Sequence, residues 1–556
     1  MLQKFYSFCM RFLQISSLIL FGILAVSSFL GTATIENPYE YIIQLKFDNP
    51  LLNLLFLCCF LAIFFGLETF FSHRKQGPQI LLILTCLWIF GACLLWICFS
   101  KNGPIADGAS VYYAARQFAA DDFSPVSHRD SYFSVYPFQF GLAFFYEMIF
   151  RLVRNDNFHI LQGINALCLV LCTISQYFLC GRLFGKWTKH SSPRPYVNQK
   201  VQIYTLLFTA FCAPYIMYSS FIYGEIPSIT FTLFGTWMLL LFLDESGHIS
   251  PVFRIFCGIA ALLSISCSVM VRKNSLIFII ALMIIAILWI LHNTGRLPAK
   301  RLLLYSTYFV LLFSLSLSIL PLVQSRYAKR SGQEINSGVP AVSYLAMGLM
   351  EAEPGPGFYT GYNFETFTTD ADYDTETAAA ISRADYQERL SFFAENPGYA
   401  FRFFVRKFCA EWIDIGWAVF PATYNSLGAR YPLVESLFSG SLHTPFKDYI
   451  TNYQMVLYLC AAVCALMLFR RKTQTDVFAF LFPLTAFGGA LFFLIWETNG
   501  RYILPYAIFM FPYAGYGAAR LAEQFQNHFL PFLKKRLKIE QGKSSSPARR
   551  AVRTPL

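Results

Sequence analysis

QILLILTCLWIFGACLLWICFSKNGPIADGASVYYAARQF (79–118) decides the reading of this chain. Positions 79–99 carry no charge. A run of that length suffices to cross the hydrocarbon core of a bilayer, roughly 30 Å thick, as a helix. The chain then turns polar at Lys101 and presents Asp107 at the start of a helix-like run rich in tyrosine. A carboxylate set at a membrane surface under a polar aromatic loop points to a reaction centre.

Similar apolar stretches occur at 12–30, 51–72, 161–180, 201–221, 227–243, 253–270, 275–292, 302–323, 451–469, 475–496 and 503–521. The expected fold is therefore all-α, a polytopic membrane protein of about 12 spans. The two spans flanking VRKNS (271–275) are the shortest for their task and are expected to be bent or re-entrant. Composition agrees, because 56% of the 556 residues are hydrophobic, 18% aromatic and only 14% charged, too apolar for a water-soluble globule. The net charge of +12 does not indicate nucleic acid, since the basic residues sit in short loops between apolar runs and in the tail, where topology accounts for them. Most of the 15 cysteines lie within apolar runs, with neither a disulfide framework nor zinc spacing. The basic start and the long apolar run to Leu30 predict a retained first helix rather than a cleaved signal.

With the N-terminus in the cytoplasm, almost all the Lys- and Arg-rich loops fall inside, which the positive-inside rule favours. Both termini are then cytoplasmic. The expected organisation is 1–78 as N-terminal helices, 79–323 as a helical core with a first outer loop at 100–160, 324–450 as a large outer loop, 451–521 as C-terminal helices and 522–556 as a basic cytoplasmic tail. Outer segments of that length are usually functional. Within them, 138–153 and 399–417 read as interfacial amphipathic helices. The Gly, Pro, Thr and Asp content of 353–380 reads as a loop, the acidic part of a lid-like cover.

Ionisable residues gather on the predicted outer side. Asp107 shares its loop with Tyr112, Tyr113, Arg116, Asp121 and Asp122. It would serve as a general base for an acceptor hydroxyl or simply as a helix N-cap. HRDSYFSVYPFQ (128–139) crowds Asp130 and Tyr136 into a turn, as interfacial anchors or as a sugar-stacking surface. Glu225 lies in a tight apolar turn before Pro227 and is expected to face the same cavity as Asp107. Arg272 and Lys273 run against the charge bias, which an anionic lipid phosphate would explain. Glu497, Arg501 and Tyr502 end another outer helix, where Asn499 and Gly500 interrupt the i, i+4 spacing of Glu497 and Arg501 and free the arginine for phosphate.

The order of these features resembles the GT-C glycosyltransferases: ADGASVYYAA after an early span, a YP turn before a surface helix, an acid at an outer turn, a basic pair, and a late E, RY, P, P pattern. The nearest likeness is to the bacterial branch related to protein O-mannosyltransferases and aminoarabinose transferases, over about 79–293 and 485–521. The resemblance implies that Asp107 is the catalytic aspartate, Glu225 a second family carboxylate, and Arg272, Lys273 and Arg501 the lipid-phosphate cations. Gly108 stands where the family often has a second acid, so no metal or other cofactor is expected. VYPFQ replaces the Lys-Pro-Pro pattern of the aminoarabinose branch.

The implied activity is transfer of a sugar from a polyprenyl-phosphate donor to a glycan, lipid or protein acceptor outside the cytoplasm, with inversion. A flippase of polyprenyl-linked glycans is the rival reading, but carriers keep their ionisable residues near the bilayer midplane. A structural subunit of a polymerase complex would have no use for Asp107.

Overall fold

The computed structural model describes residues 2–35, 42–126, 128–191, 196–245, 249–470 and 476–529. The basic tail beyond 529 and parts of three predicted inner loops lie outside the described residues. The protein is an all-α polytopic membrane protein. Ten helices among the described residues are long and apolar enough to cross a bilayer: Leu2–Leu30, Pro50–Ser72, Gly77–Ser100, Phe158–Phe184, Glu225–Phe242, Pro251–Val271, Lys273–Asn293, Ala299–Ser331, His443–Arg470 and Val477–Ile495. The helices on either side of VRKNS are thus full spans, not the bent pair expected.

The break falls instead within 201–221, where Gln199–Ala210 and Ala213–Ser220 meet at 61° and make at most an eleventh span. Pro214 is the physical reason, because it has no N–H for the carbonyl of Ala210. That carbonyl accepts from Trp88 Nε1 at 3.0 Å instead. The twelfth expected stretch, 503–521, is likewise divided, into Leu504–Phe509 and Phe511–Gln524. Pro512 leaves the carbonyl of Ile508 without its helical donor, and Gln176 Nε2 supplies one at 3.0 Å. Both breaks lie among neighbouring helices that re-satisfy the backbone, the condition under which proline is tolerated at membrane depth.

The only strands among the described residues are Gly31–Ile35 and Ile43–Phe47, a small antiparallel ribbon. Ala33 joins the ribbon to residues after the second surface helix, its N–H donating to Ile413 O at 3.1 Å and its carbonyl accepting from Ile415 N at 3.3 Å. The expected surface helices form as Phe140–Val153 and Pro397–Trp412, the second ending short of the expected 417. The stretch read as loop over 353–380 is helical at Tyr362–Glu365 and, as a π-turn, Thr366–Asp370, and again from Thr375. Asp374 caps that helix by accepting from Thr377 N at 2.7 Å, and the alanines that follow favour its propagation.

A buried ion cluster fixes the first surface helix to the long helix Ala299–Ser331. Glu147, 1% exposed, accepts from Arg151 Nε at 2.9 Å, Arg330 at 2.7 Å and Tyr327 OH at 2.5 Å. Asp121 bridges the same two arginines at 2.7 and 2.9 Å. Glu147→Ala leaves the buried Tyr327 hydroxyl without its acceptor while Arg151 and Arg330 keep Asp121, so it should cost ~1–3 kcal/mol, read as a lower unfolding temperature in detergent. The hydrogen bonds from Arg151 and Arg330 hold Asp121 below the usual carboxylate range. Its contribution is therefore present above the ordinary carboxylate pKa and lost as pH falls through the depressed value.

Candidate active site

Asp107 sits in the first turn of the helix Ala106–Ala119, whose N-cap is Ile105, so it is not the capping residue. Its Oδ2 accepts from Tyr223 OH at 2.9 Å, and that hydroxyl accepts from Gln139 Nε2 at 2.5 Å. Gly108 makes the approach possible, since a Cβ there would lie 2.4 Å from the carbonyl of Ile222. A second acid beside Asp107 is therefore sterically excluded in this arrangement.

Tyr223 precedes Gly224, whose φ of +87° turns the chain into the helix Glu225–Phe242, a backbone conformation that glycine adopts without strain. Two guanidinium groups lie over the Tyr223 ring, Arg272 at 4.6 Å and Arg501 at 4.9 Å, within reach of cation–π attraction. Arg272 ends its helix and pairs with buried Glu225 at 2.8 Å. Arg501 makes no ion pair among the described residues, and its Nε is shielded from solvent without a hydrogen-bond partner. It follows the helix that ends at Ile495, in a turn that Asn499 caps by accepting from Arg501 N at 3.1 Å. Tyr502 OH donates to Glu497 at 3.2 Å, and burial raises the Glu497 pKa while Arg501 opposes the shift.

Glu225, Arg272, Arg501 and Tyr502 form the polar mouth of a narrow cleft between helices. Its lining also includes apolar Ile229, Phe278, Pro505 and Phe509 and polar Ser228, Thr232 and Thr485. In the lining two cations stand beside one anion, Glu225, and Glu497 and Asp107 are near enough to act on Arg501. Such a cleft suits a ligand with an anionic head and an apolar tail.

Tyrosines crowd around Asp107 and Glu497. Burial raises the Tyr132 pKa, with Tyr223 and Asp107 adding to it. Tyr136 is raised by burial, Tyr359 and Asp107, and Tyr344 by burial, Tyr136 and Glu497. All stay neutral hydroxyls on flat rings, a surface suited to sugars.

Other residues singled out in the sequence lie elsewhere. Arg116 lies nine positions after Asp107, about half a turn out of phase at 3.6 residues per turn. Arg116 accordingly pairs with Asp156 at 2.6 Å, and Tyr112 OH donates to the Asp156 carbonyl at 2.9 Å. Asp130 is exposed. Lys273 is also exposed, over Phe138 at 5.9 Å, and does not line the cleft. Tyr223, Tyr344 and Tyr359 were not selected from sequence, and only the position of Tyr223 next to the Gly-Glu turn signals its role. Among the described residues no three His, Cys, Asp or Glu side chains are grouped to hold a metal ion.

No family model and no curated protein matches this sequence. Among solved structures it is similar to the oligosaccharyltransferase of Archaeoglobus fulgidus. The apo form aligns with 86% of this chain and 53% of its own, at 14% identity and a TM-score of 0.41. The complex with Zn and sulfate covers 81% and 50%, at 15% identity and 0.41. The oligosaccharyltransferase AglB from the same organism, in complex with an inhibitory peptide and a dolichol-phosphate, aligns with 86% of this chain and 53% of its own, at 14% identity and a TM-score of 0.39. The chain spans about half the length of these proteins.

Proposed function

We propose that this protein is a GT-C-type membrane glycosyltransferase that moves a sugar from a polyprenyl-phosphate donor to a hydroxyl on a glycan, lipid or protein acceptor. The observation that carries the reading is Arg501, a cation without an ion pair among the described residues, in the lining of a largely apolar cleft. In this scheme the donor phosphate lies against Arg501 and Arg272, with its chain between the helices. Glu225 orients Arg272.

Asp107 takes the proton of the acceptor hydroxyl, whose oxygen attacks the anomeric carbon. The bond from that carbon to the phosphate oxygen breaks on the opposite face, and polyprenyl phosphate leaves with the electron pair. The arginines stabilise the charge that develops on it. A single displacement of this kind inverts the anomeric centre. The placement of Glu225, Arg272 and Arg501 at helix ends supports an enzyme over a carrier, whose charges belong near the midplane.

Mass spectrometry of surface glycans tests the proposal, comparing cells with the protein, without it, and with Asp107→Asn. A sugar modification lost in both deficient strains is expected. Identical glycans in all three would sink the reading.

The site is proposed to face outward. A cysteine at exposed Thr369 should then react with an impermeant maleimide in intact cells, and one at exposed Gln76 only after lysis. The reverse pattern would put Asp107 in the cytoplasm and remove the case for a polyprenyl donor.

A further inference from the structure

The turn that carries Glu497 and Arg501 is held from behind by a lysine the chemistry above does not use. Lys407 lies on the helix Pro397–Trp412 with none of its surface exposed. Its Nζ donates to the carbonyl of Gly348 and, at 2.5 Å, to that of Trp496. Thr498 closes the same joint, its N–H donating to Gly357 O at 2.7 Å and its Oγ1 to Pro356 O at 2.8 Å. The Tyr344 ring stacks on Trp496 with centroids 5.0 Å apart and planes at 8°. Three segments remote in sequence thus meet around one ammonium group.

A buried ammonium is costly unless it is bonded and balanced. Here burial pulls the Lys407 pKa down to about 8, while Glu411, one turn on, and Glu497 favour the charged form. Methionine would fill the same space without desolvating a charge, so packing alone does not account for a lysine. The Trp496 carbonyl follows directly on the helix Val477–Ile495, where a cation meets the negative end of the helix dipole. Holding that carbonyl sets the path of residues 496–499, and so the place from which Arg501 reaches the cleft.

We propose that Lys407 is a positioning residue for the anion site, a cation that places Arg501 without itself touching the ligand. The proposal rests on the reading of Arg501 as the phosphate-binding cation. Its test is a double-mutant cycle on the full-length protein in nanodiscs, titrated with undecaprenyl phosphate and read by native mass spectrometry. Lys407→Met should weaken binding about tenfold, and combining it with Arg501→Ala should add nothing to the loss from Arg501→Ala alone. Losses that multiply, or unchanged affinity in Lys407→Met, would overturn the proposal. Thr498→Val opens the same joint with the lysine intact and carries the identical cycle if Lys407→Met does not fold. Unchanged affinity or multiplying losses there overturn it equally. A wild-type protein that fails to bind undecaprenyl phosphate removes the Arg501 reading and this inference together. Wild-type binding with a multiplying cycle removes this inference alone.

Discussion

Asp107→Asn is expected to abolish transfer, a loss of ~10²–10⁴ in rate for removal of a general base, with the unfolding temperature unchanged. The reason for unchanged stability is local. The asparagine carbonyl oxygen still accepts the hydrogen bond that Tyr223 OH gives to Asp107 at 2.9 Å, and neither shape nor helix position alters. Only the capacity to take a proton disappears. Tyr223→Phe supplies the contrasting case, because it removes that hydrogen bond and leaves the carboxylate. It should reduce the rate by less than the asparagine variant. Turnover measured on both, beside their melting curves, separates base from scaffold, and wild-type turnover in Asp107→Asn would end the catalytic assignment.

Arg501→Ala is expected to weaken donor binding by ~2–5 kcal/mol, the cost of leaving a desolvated charge without its partner. Acceptor use should change less. Lys273→Ala should leave donor binding near wild type, since Lys273 is exposed over Phe138 and outside the cleft. Arg272→Ala is less clean, because it also strands Glu225, which is 3% exposed and paired to it. Donor titrations of the two single variants decide the matter. Equal losses from Arg501→Ala and Lys273→Ala would require a phosphate position different from the one proposed.

The architecture was legible because a bilayer imposes a length and polarity rule that a single segment must satisfy by itself. Where the count differed, the cause was also local: Pro214 and Pro512 remove donors within stretches that composition alone reads as continuous. What those prolines required of their surroundings, Trp88 and Gln176 as substitute donors, was not visible in the chain. The helical start at Thr375 was hidden because acidic and threonine residues read as turn formers until Asp374 is seen as a cap.

The candidate site divides in the same way. Asp107, Glu225, Arg272 and Arg501 stand out as ionisable residues at the ends of apolar runs, where each carries a solvation cost evident from its neighbours in sequence. Arg116 and Lys273 stand in the same runs, yet helix phase turns Arg116 to Asp156 and the turn at VRKNS sends Lys273 outward. Tyr344, Tyr359 and Lys407 belong to a segment far along the chain from Asp107, and tyrosine is too common here to mark a site. A lysine on the apolar face of an amphipathic helix, between buried Phe403 and Ala410, is the one signal that sequence offers for Lys407.

Sequence by itself determined that this protein is helical, crosses the membrane many times and keeps a few costly charges at the ends of its spans, since each of those properties follows from one segment meeting hydrocarbon or water. Tertiary structure alone decided which charges pair directly and which do not. Glu225 answers Arg272 while Arg501 lines the cleft without an ion pair among the described residues, because pairing depends on distances between segments that the chain order does not contain.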